Sequence, residues 1–79
     1  MIKRYRVTVF GGKLYYTRKG KAIETAKKLL SHGMSRIVHI QQLSKELYSS
    51  GVPTGKSYKE IQVWELVDGT PKRTDNMRY

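Results

Sequence analysis

Residues 3–18, KRYRVTVFGGKLYYTR, decide the fold because they predict two strands joined by a tight turn. Residues 3–10 and 13–18 alternate between two kinds of side chain, which is typical of β-strands whose faces differ. The Gly11-Gly12 pair between them tolerates the positive φ angles of a two-residue hairpin loop. The sequence therefore predicts an antiparallel hairpin with Gly11 and Gly12 at its turn.

The predicted turn sets the register of the hairpin, in which Val9 faces Leu14 and Val7 faces Tyr16. Alternation then separates the side chains into two sets. The set suited to a core is Tyr5, Val7, Val9, Leu14 and Tyr16. The opposite set, which we expect on an open face, is Arg4, Arg6, Thr8, Phe10, Lys13, Tyr15 and Thr17.

Residues 22–30 predict an amphipathic helix. Apolar residues recur at helical spacing at Ala22, Ile23, Ala26, Leu29 and Leu30, and the opposite side carries Lys21, Glu24, Lys27, Lys28 and Ser31. Gly33 suits the position after the last helical turn, where a left-handed backbone is common. We expect the helix to end near His32.

Two further strands are predicted at residues 36–43, RIVHIQQL, and 58–67, YKEIQVWELV, because both are rich in β-branched residues. In the second strand, Tyr58 and Trp64 share a parity, so both are candidates to extend the open face. A partly buried Trp64 is the favoured alternative. The turn-rich residues 44–57 predict an exposed, mobile connection.

The order of these elements predicts an α+β fold. A four-stranded, largely antiparallel sheet, with the elements in the order ββαββ, carries one helix packed on one face. An antiparallel sheet can leave its second face open to solvent. We expect residues 1–69 to form a single compact domain and residues 70–79 to form a flexible C-terminal tail.

The chain is strongly basic, with 16 Lys and Arg residues, 6 Asp and Glu residues and a net charge of +10. The first 28 residues hold nine of the basic residues and one acid, so their net charge is +8. Concentrated like charge repels itself in a folded protein, and a polyanion relieves the repulsion by exchanging condensed counterions for Lys and Arg. The charge pattern therefore favours nucleic acid as a partner over a role in solubility alone.

We expect a nucleic-acid interface on the open face of the hairpin. Arg and Lys neutralise phosphates while aromatic rings stack on exposed bases, and a two-stranded ribbon can instead enter a major groove. Both modes stay open, as does a structural role in which Phe10 and Tyr15 form a cross-strand pair that only stabilises the hairpin. The candidate contact residues are Arg4, Arg6, Phe10, Lys13, Tyr15, Arg18, Lys19, Lys21, Lys28 and Lys56.

No motif indicates catalysis. Residues 50–57, SGVPTGKS, end like a phosphate-binding loop, but the first Gly is one residue out of register and a strand is predicted where the motif needs a helix. Lys56 alone stays a candidate for a phosphate contact. His32 and His39 are the only histidines and there is no Cys, so we expect no metal site. We expect no enzyme activity, no catalytic residue and no cofactor.

The sequence predicts a cytoplasmic protein with no membrane partner. Without Cys there is no disulfide to require an oxidising compartment. The start, MIKR, leads into alternating residues, and no apolar run approaches the ~20 residues of a membrane span.

The hairpin YRVTVFGGKLYY, the helix KAIETAKKLL, the strand RIVHI and the closing IQVWELVDG together resemble the layout of small bacteriophage accessory proteins, including some anti-CRISPR proteins. The resemblance covers most of the chain. It implies a protein that blocks or redirects a nucleic-acid machine in the cytoplasm of the host cell. Many such proteins are acidic, and this basic chain departs from them.

Two functions of different classes are therefore expected as alternatives. The first is direct binding of DNA or RNA through the basic hairpin face. The second is an inhibitor or adaptor that docks on a nucleic-acid-processing protein complex through a sheet edge, residues 44–57 or an acidic patch. Homodimerisation through an edge strand also stays open.

Overall fold

A computed structural model of the chain describes residues 3–75. The elements in chain order are β1 (Tyr5–Val9), β2 (Gly12–Tyr16), α1 (Lys19–Ser31), β3 (Ile37–Ser49), β4 (Val52–Val67) and β5 (Thr70–Arg73). The strands form one sheet of order β2-β1-β3-β4-β5 in which every neighbouring pair is antiparallel. The predicted α+β fold with one helix and an antiparallel sheet is confirmed.

The sheet has five strands and not the predicted four. Residues 70–73, predicted to belong to a flexible tail, form β5 on the outer edge of β4. Asp68 and Gly69 both have positive φ angles, of 52° and 78°, which is the geometry of a type I′ hairpin turn. Pro71 is tolerated because β5 is an edge strand. Residues 76–79 of the predicted tail lie outside the described residues.

The first hairpin has a different turn from the one predicted. Its loop is Phe10-Gly11, with Gly11 at a φ of 90°, while Gly12 joins β2 and pairs with Val9. The predicted pairing of Val9 with Leu14 is therefore wrong, since Leu14 faces Val7. The pairing is displaced by two positions, an even number, so the division of side chains between the two faces is preserved.

The helix α1 packs across one face of the sheet, as its apolar spacing predicts. Ala22, Ala26 and Leu30 are fully buried. At the C-terminus, the Gly33 amide donates to the Leu30 carbonyl and the Met34 amide to the Leu29 carbonyl, and Gly33 has a φ of 72°. This is a Schellman motif, which ends the helix after Ser31 and satisfies the carbonyls of Leu29 and Leu30.

The core lies between α1 and the centre of the sheet. The strands contribute Val7, Val38 and Ile40, all fully buried, to the contact with the helix. We call the face of the sheet that packs against α1 the helix face. Leu14, which the sequence assigns to the core, is 40% exposed because β2 is an edge strand. Across residues 3–75 the structure contains no helix long and apolar enough to span a bilayer.

Residues 44–57 form a long β-hairpin and not the predicted mobile connection. They pair only with each other, from Lys45 opposite Ser57 to Ser49 opposite Val52, and extend past the rest of the sheet. Ser50 and Gly51 make the turn, with φ angles of 54° and 78°. We call residues 44–57 the arm. Because the arm is solvated on both faces, it lacks the apolar alternation that marks a half-buried strand.

The strand β4 carries a β-bulge at Ile61. Ile40 pairs with Gln62 and the next residue of β3 pairs with Glu60, so Ile61 is the extra residue. A bulge reverses the alternation of side chains on either side of it. Tyr58 and Trp64 consequently lie on opposite faces, although they share a parity in the sequence.

Candidate functional site

The face of the sheet opposite α1, the open face, holds a cluster of polar and aromatic side chains drawn from four strands. In the register of the sheet, Arg6 of β1 lies between Tyr15 of β2 and Gln41 of β3. Tyr58 of β4 reaches the same place from the base of the arm. The cluster exists only when all four strands have paired.

Arg6 is fixed in place without a carboxylate partner among the described residues. Its Nε donates to Oε1 of Gln41 at 3.3 Å, and Thr8 Oγ1 donates to the same oxygen at 2.9 Å. The guanidinium carbon lies 4.6 Å from the centroid of the Tyr58 ring, a cation–π contact. The positive charge of Arg6 is therefore positioned but not neutralised by the described part of the chain.

Tyr58 is held by contacts on several sides. Its hydroxyl donates to the backbone carbonyl of Lys3 at 3.1 Å. Its ring meets that of Tyr15 at a centroid distance of 6.0 Å and an angle of 62°, an edge-to-face arrangement. Tyr15 keeps 44% of its surface exposed. The pair thus combines an anchored ring, Tyr58, with an accessible one, Tyr15.

These side chains line a groove of about 560 Å³ between the first hairpin and the arm. We call it the basic groove, and its lining residues are Lys3, Arg6, Tyr15, Lys56 and Tyr58. Three are cations and two are tyrosines, so the lining contains no acidic side chain. Such a groove attracts anions and offers aromatic surface beside them.

The nearby acids are engaged by other partners. Glu60 on the open face contacts Nδ1 of His39 at 2.6 Å. Glu46, the cross-strand neighbour of Lys56, accepts a hydrogen bond from the Tyr48 hydroxyl, which raises the pKa of Tyr48. Neither carboxylate lines the basic groove. These two carboxylates therefore reduce the positive potential of the groove only from positions outside its lining.

The structure divides the predicted contact residues between separate surfaces. Arg6, Tyr15 and Lys56 meet in the basic groove. Strand alternation puts Arg4 and Lys13 on the same open face but outside the lining. Phe10, predicted to stand on that face, is instead in the turn of the hairpin and is 94% exposed.

The remaining predicted contact residues lie on α1 or next to it, on the other side of the sheet from the basic groove. Arg18 is the residue before α1, and Lys19, Lys21 and Lys28 lie along the helix. Glu24 carries ion pairs of 3.9 Å with both Lys21 and Lys28, which reduce the charge of that surface. Since α1 covers the opposite face of the sheet, these lysines do not join the basic groove.

Lys3 and Gln41 are not among the predicted contact residues, and Tyr58 is predicted on the open face only together with Trp64. Trp64 lies on the helix face, half-buried, with Lys27 Nζ 5.2 Å from its ring. The preference for a partly buried Trp64 is confirmed. The one signal for Tyr58 is its position two residues after Lys56 on the same strand, which places both on one face.

A second surface depression lies at the far end of the sheet from the arm. Phe10, Met34 and Arg36 contribute to its lining, and Met34 is 68% exposed. It carries one cation and no aromatic pair, so its chemistry differs from that of the basic groove. Within residues 3–75, no cluster of three or more His, Asp or Glu side chains could hold a metal ion.

Comparison of the chain with protein-family models, with curated proteins and with solved structures finds no match.

Proposed function

We propose that this protein binds nucleic acid through the basic groove. The observation that carries the proposal is the composition of the groove, in which three cations without a carboxylate partner among the described residues surround two tyrosine rings. Lysine and arginine replace the counterions of the phosphate backbone, and aromatic rings add contacts to bases. The function proposed is binding without catalysis.

The preorganisation of Arg6 supports this function. A side chain already held by Gln41 and by the Tyr58 ring loses little conformational freedom when a phosphate arrives. Lys3 and Lys56 line the same groove and are exposed, whereas Arg6 is half-buried, so we call the two lysines its rim. Two exposed lysines beside one positioned arginine suit a chain of phosphates that passes along the groove.

The first experiment measures binding of a fluorescein-labelled 20-nucleotide DNA and RNA by anisotropy over a series of salt concentrations. Three phosphate contacts predict a slope of about −2 for the logarithm of the association constant against the logarithm of salt concentration, for single strands. The double variant Lys3→Gln/Lys56→Gln should reduce the steepness of that slope by about 1.4.

A matched control removes the same charge elsewhere. The double variant Arg36→Gln/Lys72→Gln has the same net charge as Lys3→Gln/Lys56→Gln, but Arg36 and Lys72 lie outside the basic groove. We expect this control to change the slope by less than about 0.5, since only long-range attraction is reduced. An equal reduction of the salt slope in the two double variants would overturn the proposal. So would the absence of salt-dependent binding to any oligonucleotide.

A protein-binding inhibitor or adaptor of a nucleic-acid-processing complex is the second candidate. The observation that favours it is the arm, whose outer part exposes the side chains of Leu47, Tyr48 and Val52. Exposed apolar and aromatic residues on a projecting hairpin are typical of a protein contact. Capture of one specific protein, abolished by Tyr48→Ser and unaffected by Lys3→Gln/Lys56→Gln, would favour this function over direct binding.

A further inference from the structure

We infer that the basic groove takes a single-stranded segment, with an unpaired base stacked on Tyr15 and the neighbouring phosphates on Lys3 and Lys56. The inference rests on the proposed function and narrows it to one class of nucleic acid. It applies to DNA and RNA strands alike, because the groove chemistry used here is common to both.

The exposed ring of Tyr15 is the first argument. A tyrosine ring can stack only on a base whose own face is free, and in a duplex those faces are occupied by neighbouring base pairs. Extracting a base from a duplex costs a few kcal/mol. Tyr15 remains 44% exposed at the wall of the basic groove, so its ring is accessible to a base of an unpaired strand.

The division of tasks between the two tyrosines is the second argument. Tyr58 is occupied by the Lys3 carbonyl, by Arg6 and by the edge-to-face contact, so it is a positioning residue. Tyr15 has its ring contact with Tyr58 and no other described aromatic or cationic partner. The contact with Tyr58 thus positions the Tyr15 ring and leaves much of its surface accessible to a base.

The composition of the arm is the third argument, because it disfavours insertion of the arm, as a two-stranded ribbon, into a duplex. Such a ribbon reads bases and contacts phosphates with charged and amide side chains near its tip. Residues 47–55, LYSSGVPTG, form the tip and carry no charged or amide side chain. The cations that line the basic groove, Lys3, Arg6 and Lys56, lie instead near the base of the arm.

The size of the groove agrees with this class of ligand. A volume of about 560 Å³ lies within the range of small-ligand sites, and one nucleotide is a ligand of that class. The strand to either side would pass over the rim lysines. Contact with one stacked base and about three phosphates predicts modest affinity that depends little on base identity.

The experiment compares three ligands of equal length by anisotropy at one low salt concentration. These are a 12-nucleotide oligothymidylate, the same strand annealed to its complement, and a strand of the same length whose nucleotides are abasic. We expect the single strand to bind at least tenfold more tightly than the duplex. The abasic strand should lose roughly 5- to 150-fold relative to the oligothymidylate, the value of one base–aromatic stack.

Variants of Tyr15 test the stacking residue. Tyr15→Ala should weaken oligothymidylate binding by the same factor as removal of the bases, and it should leave abasic and duplex binding within twofold. Tyr15→Phe keeps the ring and should bind as the unaltered protein does. Tyr48→Ala removes a more exposed tyrosine, 58% accessible, at the tip of the arm and should have no effect, which controls for the general loss of aromatic surface.

The outcomes separate this inference from the proposed function. Salt-dependent binding in which the duplex is bound as tightly as the single strand, or in which Tyr15→Ala weakens all three ligands equally, would overturn the single-strand inference and leave nucleic-acid binding intact. Absence of salt-dependent binding to every ligand would overturn both. Thermal unfolding of each variant shows whether a loss of binding reflects a loss of the fold.

Discussion

The helix face and the open face of the sheet are built from the same strands, yet their side chains make different kinds of contact. Ile40 and Gln41 are neighbours in β3. Ile40 is fully buried against α1, whereas Gln41 lies half-exposed on the open face and joins Arg6 to Thr8. The comparison teaches that one strand can supply stability with alternate residues and positioning with the residues between them.

The energies of the two faces differ in size as well as in kind. A fully buried aliphatic side chain stabilises the fold by about 1.5–3 kcal/mol, while a hydrogen bond on a half-exposed surface contributes about 0.5–1.5 kcal/mol net. Substitutions on the helix face should therefore change the free energy of unfolding. Substitutions on the open face should mainly change binding.

The largest effect is expected for Ile40→Ala. Ile40 is among the largest fully buried side chains, and its truncation leaves a cavity under α1. We expect the free energy of unfolding to fall by about 2–5 kcal/mol, measured by urea denaturation followed by circular dichroism. Gln41→Ala in the same strand should cost less than about 1.5 kcal/mol. Equal destabilisation by the two variants would contradict the division of tasks between the faces.

The next effect concerns binding and compares two adjacent glutamines. Gln41→Ala removes the acceptor that holds Arg6 and should weaken single-strand binding about tenfold, because Arg6 must then be ordered by the ligand. Gln42 lies on the other face, opposite Tyr5 and Lys59, and is exposed. Gln42→Ala should leave the affinity measured by anisotropy unchanged. A loss that is equal in both variants would show that Gln41 does not act through Arg6.

The two faces also differ in how far the sequence predicts them. The helix face follows from local periodicities: the apolar spacing of α1 and the alternation of Tyr5–Val9 place Val7, Ala22 and Ala26 in the core as expected. That prediction survives a wrong hairpin register because the displacement is even. Local pattern and burial agree there, so little long-range information is needed.

The open face depends on pairings that no local pattern encodes. Tyr58 and Trp64 have equal parity in the sequence, and only the bulge at Ile61 separates them onto two faces. The arm pairs only with itself and has no buried face, so residues 44–57 give no amphipathic signal. Gln41 and Lys3 acquire their roles through partners on other strands. The basic character of the site is predictable from the sequence, but its set of residues is not.

Two glycines, one in α1 and one just after it, test whether the free energy of unfolding can be changed in either direction. Gly33 has a φ of 72°, so Gly33→Ala should lower the free energy of unfolding by about 1–2 kcal/mol through strain in the left-handed region. Gly20 lies in the first turn of α1, without positive φ and with open space around its Cβ position. Gly20→Ala should raise the free energy of unfolding by about 0.4–1 kcal/mol.

Urea denaturation of both glycine variants measures these changes, and neither should alter binding at the open face by more than twofold. Gly20→Ala serves as the control for the addition of a methyl group near an end of the same helix, α1. Destabilisation of similar size in both variants would show that the sign is not set by the backbone conformation.

The smallest effect is a pH dependence at the C-terminal edge of the sheet. Arg73 Nε and Nη2 donate to the two carboxylate oxygens of Asp75 at 2.7 and 3.0 Å, and these bonds, with one from the Val63 amide, hold the pKa of Asp75 below its usual range. A carboxyl whose pKa is lower in the folded state stabilises the protein above its unfolded pKa, and that stabilisation is lost as the pH falls through the folded value.

We therefore expect the free energy of unfolding to decrease below about pH 4, with a contribution from Asp75 of about 0.2–1 kcal/mol. Asp75→Asn should remove this part of the pH dependence while leaving single-strand binding at neutral pH unchanged, since Asp75 and Arg73 lie outside the basic groove. Urea denaturation at intervals between pH 2.5 and 6 measures it, with Asp68→Asn, in the turn before β5, as the control for removal of one acid. An unchanged pH profile in Asp75→Asn would contradict the assignment, because the bond to Arg73 would then contribute no stability that protonation can remove.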